Sequence, residues 1–563
     1  MKKTISYLAM LSFLGAGAFA QNRKISPDLE QSAPDAVLDV IVQFKQQPTA
    51  AHHGRVLRYG GVMKADLRAV RGGAYRLRAA ALAELADDPD VLYVSPDRPV
   101  SGAMDSTAAA VNAPAAWQSG RTGSGIGVAV IDSGISNHED LTKNGNRIVY
   151  SQDFVGGGTD DHHGHGQHVA GIIAGDGTRS VCGNCTRTFK GIAPTADLLD
   201  LRVLDQNGQG TDSGVIAAIN KAIQLKSQYN IRVINLSLGR PVYESYTLDP
   251  LCQAVEAAWK AGIVVVVAAG NNGRDNSAGT NGYGTITAPG NDPYVITVGA
   301  MKTMGTPQRS DDLVASYSSK GPTMVDHVVK PDIVAPGNKV VSLLASTAHL
   351  TQSYPQNNVL LSYYQSTSQT NASNMYFMLS GTSMAAPVVS GAAALLIQAN
   401  PNLTPDQVKA RLMHTASKNF PATSVATDPT TGKVYTSQYD VFTVGAGYLD
   451  VAAALADTTV FTGSAQSPAV ARNAQTNVTS LVCPATSICG SQSLWDNRSL
   501  WDTQSLWDNQ TLWDNMFFLT GTRSLWDSQS LWGTRSLWDT QSLWGVSSTN
   551  NVEMNNIAIS GEK

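Results

Sequence analysis

Six apolar, β-branched runs alternate with helical stretches between residues 111 and 457, and they constrain the fold more than any other feature. They are IGVAVID (126–132), ADLLDLRVL (196–204), IRVINLSLG (231–239), GIVVVVAAG (262–270), YVITVGA (294–300) and DIVAP (332–336). A strand that is apolar on both of its alternating faces has no solvent side and belongs inside a layered structure. The segments between them, GQHVAGIIAG, DSGVIAAINKAIQLKSQ, PLCQAVEAAWKAG, TSMAAPVVSGAAALLIQA and TPDQVKARLMHTAS, read as helices. Alternation of this kind predicts an α/β fold, a parallel β-sheet flanked by helices. Ligands of such sheets gather at the carboxyl ends of the strands.

Residues with chemical potential stand at those ends or at the starts of helices. The first run closes on Asp132, followed by Ser133-Gly134. A carboxylate there is costly unless it is hydrogen-bonded. Orienting an imidazole would explain it, and an ordinary turn-starting Asp is the plainer alternative. Four of the chain's ten histidines fall in His162-His163-Gly164-His165-Gly166-Gln167-His168. His165 and His168 have a spacing that can ligate zinc on a helix, but no H-E-x-x-H and no third ligand accompany them, so no metal site is assigned. The most apolar run ends at Gly270-Asn271, where a side-chain amide can donate to an oxyanion. An Asn-Gly turn at Asn272-Gly273 is the simpler reading of that stretch. Finally, Gly381-Thr382-Ser383-Met384-Ala385-Ala386-Pro387 puts Ser383 at the mouth of a helix, where unpaired N–H groups suit a developing negative charge. A serine needs a base to become a nucleophile, and a helix cap is its commonest other use.

Taken together, Asp132, His165, Asn271 and Ser383 resemble the signature of the subtilase family of serine peptidases. Asp132-Ser133-Gly134 is similar to its aspartate motif, and His165 to Gly171 to its histidine motif, with Gln167 in place of the usual threonine. Gly381 to Pro387 matches its serine motif, and the order Asp, His, Ser is the family's. The resemblance covers about residues 111–457. It implies a subtilisin-like fold, hydrolysis of peptide bonds through an acyl-enzyme, Asp132, His165 and Ser383 as triad, and Asn271 as oxyanion donor. It also implies substrate pairing along Ser237-Leu238-Gly239, with Gly270 and Ala288-Pro289-Gly290 shaping a side-chain pocket. No cofactor is required for such catalysis. Structural calcium occurs in the family, but its ligands cannot be matched here.

The flanks complete the expected organisation. Residues 1–20 combine Lys2, Lys3, an apolar core and Ala18-Phe19-Ala20, which reads as a signal peptide and a secreted, extracellular protein. No later segment has about 18 unbroken apolar residues, so no transmembrane segment is expected. Residues 21–104, folded over about 37–100, resemble the family's inhibitory propeptide, a small α+β unit opening on VLDVIVQF. Self-cleavage is expected between Val100 and Val111. The peptidase domain takes 105–457, a Thr-, Ser- and Ala-rich linker 458–490, a repeat 491–545 and a tail 546–563. The repeat places Trp495, Trp501, Trp507 and Trp513, then Trp526, Trp532, Trp538 and Trp544, six residues apart. That period puts every Trp on one face of an extended chain but forms no helical stripe. A cell-surface ligand for the repeats is one candidate partner, and a surface-binding protein acting through them is the alternative function. Residues 344–376 read as a polar surface insertion. Export allows disulfides, with Cys182–Cys185 and Cys483–Cys489 as local pairs and Cys252 a buried small side chain. With 15% charged residues, a net charge of −4 and no basic run, nucleic acid is not an expected partner. An esterase of the α/β-hydrolase type would need a G-x-S-x-G elbow, which is absent.

Overall fold

The computed structural model describes residues 24–26, 29, 32–96, 103–104, 106–428, 431–473, 475–476, 479–485, 487–490 and 559–562. The expected signal peptide (1–20) and the repeat segment (491–545) lie outside the described residues, as does the chain at 97–102. The molecule divides between residues 101 and 102 into two compact units.

The small unit is a four-stranded antiparallel sheet with two helices. Its strands are β1 (Val37–Phe44), β2 (Val62–Leu67), β3 (Gly72–Arg78) and β4 (Val91–Pro96), in the order β2-β3-β1-β4. Its helices are α1 (Ala50–Arg58) and α2 (Ala81–Asp87). Val40, Val42 and Phe44 alternate inward from β1 and meet Val56, Leu77, Leu85 and Val94 in one core.

The large unit is built on an eight-stranded sheet. Its strands are β5 (Gly127–Asp132), β6 (Ile148–Asp153), β7 (Asp197–Arg202), β8 (Ile231–Leu236), β9 (Val264–Ala268), β10 (Ile296–Lys302), β11 (Leu313–Val314) and β12 (Ile333–Pro336). The order is β11-β10-β9-β8-β5-β7-β6, with β12 also beside β10. All pairings are parallel except β10 with β11. Every residue of β5, β9 and β10 is buried. Both faces are therefore covered, as the unbroken apolar runs predict. The helices are α3 (His165–Ala174), α4 (Asp212–Leu225), α5 (Pro250–Lys260), α6 (Thr382–Ala399) and α7 (Pro405–Thr415). Helix α6 is apolar on all sides. It packs on β8, β9, β10 and β12 and against α3, so its length and apolarity serve the core.

The strand order reverses at β5: β7 and β6 lie on one side, β8 to β10 on the other. Such a reversal opens a crevice at the carboxyl ends of the strands beside it. Asp132 ends β5, Ser237 follows β8, and Gly270-Asn271 follows β9, so parallel pairing alone brings these residues to one edge.

Two expectations need correction. Residues 344–376 are not merely a surface insertion. Ala372–Leu379 pairs antiparallel with Val340–Leu343 and buries Tyr376 and Phe377, while Tyr364 packs inward beside them. The two tyrosine hydroxyls are satisfied where they are buried: Tyr376 donates to Asp140 (2.7 Å) and Tyr364 meets Ser373 (3.1 Å). Residues 458–490 are not an extended linker. Ala469–Arg472 and Thr479–Val482 form a hairpin, and Phe461, Val470 and Ile488 pack with Phe442 and Val329. Val329 and Val470 bond through their N–H groups to Pro468 and His327. The pairs Cys182–Cys185 and Cys483–Cys489 are disulfides, and Cys252 is buried.

Candidate active site

Asp132 is fully buried at the end of β5. Its Oδ1 accepts from His165 Nδ1–H (2.7 Å) and from Ser133 N–H (2.8 Å). His165 is the first residue of α3, and the start of that helix is fixed by another carboxylate. Asp161, buried, accepts from the N–H groups of His163 (3.0 Å), Gly164 (2.7 Å) and Gln167 (2.7 Å). The Ser133 hydroxyl donates to Asp161 (2.9 Å) and accepts from Gly166 N–H (2.8 Å). The turn after β5 and the N-terminus of α3 are thus stitched together, with negative charge where the helix dipole favours it. Gly166 makes the approach sterically feasible, because a Cβ there would lie 2.4 Å from the Gly134 carbonyl oxygen.

Electrostatics follow from this arrangement. Burial disfavours a charged His165, but the Asp132 carboxylate, its hydrogen bond and the Asp161 charge outweigh it and hold the imidazole above its ordinary pKa. Burial pushes Asp161 upward and the neighbouring Asp132 charge adds to this, against its hydrogen bonds. His168, one turn inside α3, is unlike His165. Its Nε2 faces the carbonyls of Val340 (3.0 Å) and Phe377 (3.2 Å). Burial and the His165 charge lower its pKa to about 3, so it is a neutral strut between α3 and the Val340–Leu343 strand.

Ser383 is the second residue of α6. Gly381 before it has φ of +145°, and a Cβ at that position would sit 3.1 Å from Asn271 Nδ2. The Asn271 Oδ1 accepts from Thr382 N–H (2.9 Å) and from the Thr382 hydroxyl (3.1 Å), and Thr382 Oγ1 in turn accepts from Gly270 N–H (3.1 Å). The carbonyl end of Asn271 is thereby pinned to the helix that carries Ser383, and its NH2 is the end left to donate.

Pro387 lies inside α6, four residues after Ser383. Proline has no N–H, so the Ser383 carbonyl loses its helical donor. Ser237 replaces it: the Ser237 hydroxyl donates to the Ser383 carbonyl at 2.8 Å, and the Ser383 hydroxyl donates to the Ser237 carbonyl at 3.1 Å. Among the described residues, Ser383 and His165 do not hydrogen-bond directly. They are linked in space through Ser237, since Ser237 and His165 line one cleft.

That cleft has an apolar side made by Leu204, Val215, Leu238 and Leu251, and runs along Ser237-Leu238-Gly239. Arg240 closes its rim, bonded to Asp212 (2.9 Å) and Asp249 (2.8 Å). Residue 239 must be small, because a Cβ would stand 2.7 Å from Thr287 Oγ1. Gly270 also abuts Thr287, and Ala288 bridges to Arg240, so these segments frame the same edge. His163 lines the cleft beside His165, and burial lowers its pKa to about 4.

Sequence reasoning alone did not single out Asp161, Thr382 or the exchange between Ser237 and Ser383. Asp161 had a weak signal, an Asp-x-x-Gly stretch just before a helix. Pro387 had a stronger one, since a proline six residues into a helix always leaves a carbonyl seeking another donor.

The subtilase family model matches residues 123–447, the span that carries all of this geometry. Serine protease AprX of Bacillus subtilis is 37% identical over 343 residues, covering 59% of this chain and 71% of that protein. Subtilisin E of the same organism is 34% identical over 388 residues, covering 67% and 84%. An extracellular serine proteinase of a Thermus species is 34% identical over 377 residues, covering 64% and 74%. With more than half of its length matched by the family and relatives aligned over most of theirs, the chain belongs to the subtilase family.

Proposed function

We propose that this subtilisin-type serine endopeptidase works through Asp132, His165 and Ser383, with Asn271 as oxyanion donor, and that it is exported as a self-processed zymogen. The observation that carries the reading is the 2.7 Å bond from His165 to a buried Asp132, at the sheet edge where Ser237 holds Ser383. In the reaction, the Ser383 hydroxyl turns from the Ser237 carbonyl toward His165 Nε2. It attacks the peptide carbonyl as Nε2 takes its proton. Asp132 keeps the proton on Nδ1 and stabilises the imidazolium. The oxyanion is held by the Asn271 NH2 and the Ser383 N–H at the helix mouth. Collapse returns the Nε2 proton to the leaving amine, and water releases the acyl group with the same base.

Substrate lies extended along Ser237-Leu238-Gly239 and is bound by strand addition. The apolar wall of Leu204, Val215, Leu238 and Leu251 accepts an apolar side chain upstream of the cut. The small unit acts as the inhibitory propeptide, and residues 1–20 direct export. Among the described residues no three His, Cys, Asp or Glu side chains converge as a metal site. Purified Ser383→Ala protein is expected to cleave neither casein nor its own propeptide junction. Cleavage of either by that variant refutes the assignment.

A further inference from the structure

The distal residues Ile559–Glu562 occupy a slot in the large unit that nothing in peptide hydrolysis calls for. Glu562 is 4% exposed, and it meets two cations that are also buried, Lys302 and Arg274. Its Oε1 accepts from Lys302 Nζ (2.5 Å). Its Oε2 accepts from Arg274 (3.1 Å), Ser316 N–H (2.9 Å) and the Ser316 hydroxyl (2.5 Å). The backbone of the same residue is gripped at both ends. Its N–H donates to Asn338 Oδ1 (2.7 Å) and its carbonyl accepts from Asn338 Nδ2 (2.8 Å). Upstream, the Ile559 carbonyl accepts from Asn357 Nδ2, and the Ile559 side chain joins the main core. Gly561, between them, has φ of +64°, and a Cβ there would stand 2.7 Å from both Lys339 Cγ and Ser380 Oγ. The slot therefore reads a sequence: a glycine that fits under Ser380, then an acid of the right length.

We propose that this slot is a built-in docking site for the Ile559–Glu562 segment, with the Glu562 carboxylate as its recognition element. Buried charges are costly unless each is paired and hydrogen-bonded, and here one carboxylate receives four donors. The consequence concerns residues 491–558. They join the peptidase domain at Gly490 on one side and at Ile559 on the other, so a cut within them leaves both pieces attached. A serine peptidase that carries a Trp-rich repeat in its own chain is exposed to such cuts, and the docked segment retains the repeat after one. The slot also abuts the loops that hold the site. Arg274 follows Asn271 by three residues, Ser316 opens the stretch whose Tyr317 carbonyl and Ser319 hydroxyl accept from Gly273 and Asn272, and Gly337, beside Asn338, accepts from Gly381 N–H.

The test uses the full chain, folded before it is cut. A recognition sequence for a site-specific protease is placed after Val546 in a Ser383→Ala background, and the cut protein is passed over a size-exclusion column. The fragment beginning at residue 547 contains no Trp, so retention cannot come from the repeat. It is expected to co-elute with the domain and to exchange with a labelled synthetic peptide of residues 555–563. The same peptide carrying Glu562→Gln should bind at least about tenfold more weakly, since hydrogen bonds to a charged group are the strong ones. Loss of the fragment on the column, or equal binding of the Glu and Gln peptides to the same domain, overturns the proposal. Because the readout is binding by an inactive variant, it is independent of the assignment of the triad.

Discussion

Replacing Ser237 by alanine tests how the fold holds Ser383 in place. Pro387 has deprived the Ser383 carbonyl of its helical donor, and the Ser237 hydroxyl supplies the replacement at 2.8 Å. The same hydroxyl accepts from Asn235 Nδ2 at 3.0 Å, and Asn235 is fully buried. Alanine therefore strands one carbonyl and one amide N–H. A buried polar group left without its partner costs about 1–3 kcal/mol, so Ser237→Ala should destabilise the domain by roughly 2–4 kcal/mol. In a domain of this size that is a fall in melting temperature of about 4–16 °C, at some 2–4 °C per kcal/mol. The decisive arm is Pro387→Ala, which restores an N–H to the Ser383 carbonyl. In that background Ser237→Ala should cost about 1–2 kcal/mol less, a coupling typical of residues that share one partner. Both substitutions are made in Ser383→Ala protein, to prevent self-digestion, and followed by thermal unfolding. A neutral Ser237→Ala, or costs that simply add in the double variant, would show that the Ser237 hydroxyl does not stand in for the missing helical donor.

Other consequences follow from the same geometry. Catalysis needs neutral His165, and Asp132 and Asp161 hold its folded pKa above the ordinary 6.5 against the pull of burial. The neutral base therefore appears only as pH rises through that higher value, and kcat/KM should climb along a limb centred above pH 6.5. Asp132→Asn should move that limb to lower pH and reduce kcat on the order of 10⁴-fold, measured with a chromogenic peptide. Asn271→Ala should lower kcat by about 10²–10³-fold with little change in KM; a change confined to KM would remove it from the oxyanion site. Gly381→Ala, at φ +145° and with its Cβ 3.1 Å from Asn271 Nδ2, should displace that amide and cost activity even where the melting temperature is retained. This is read by comparing kcat with unfolding.

Much of the fold was legible because burial left its mark on composition. Val264–Ala268 is apolar at every position and buried at every position, and the small unit's β1 is the VLDVIVQF run itself. The residue types of the site were legible because they stand where parallel strands end, as Asp132 and Asn271 do, or where helices begin, as His165 and Ser383 do. What could not be read depends on partners distant in sequence. Ala372–Leu379 looks polar at its start, and its pairing with Val340–Leu343 is settled by where Tyr376 can reach Asp140. The hairpin in 458–490 owes its place to Val470 and Ile488 against a core formed elsewhere. Asp161 works mainly through backbone donors, which leave only the weak Asp-x-x-Gly signal, and Glu562 looks like any exposed acid until its buried bonds to Lys302 and Arg274 are seen.

The central claim is that Ser383, activated by His165, is the nucleophile. The most direct measurement is reaction of the purified protein with a fluorophosphonate, followed by mass spectrometry of the modified peptide. A single adduct on Ser383, formed at a rate that rises with pH above 6.5 as neutral His165 appears and that falls sharply in His165→Ala protein, is the expected result. An adduct on another residue, or full inhibition with Ser383 unmodified, would contradict the account.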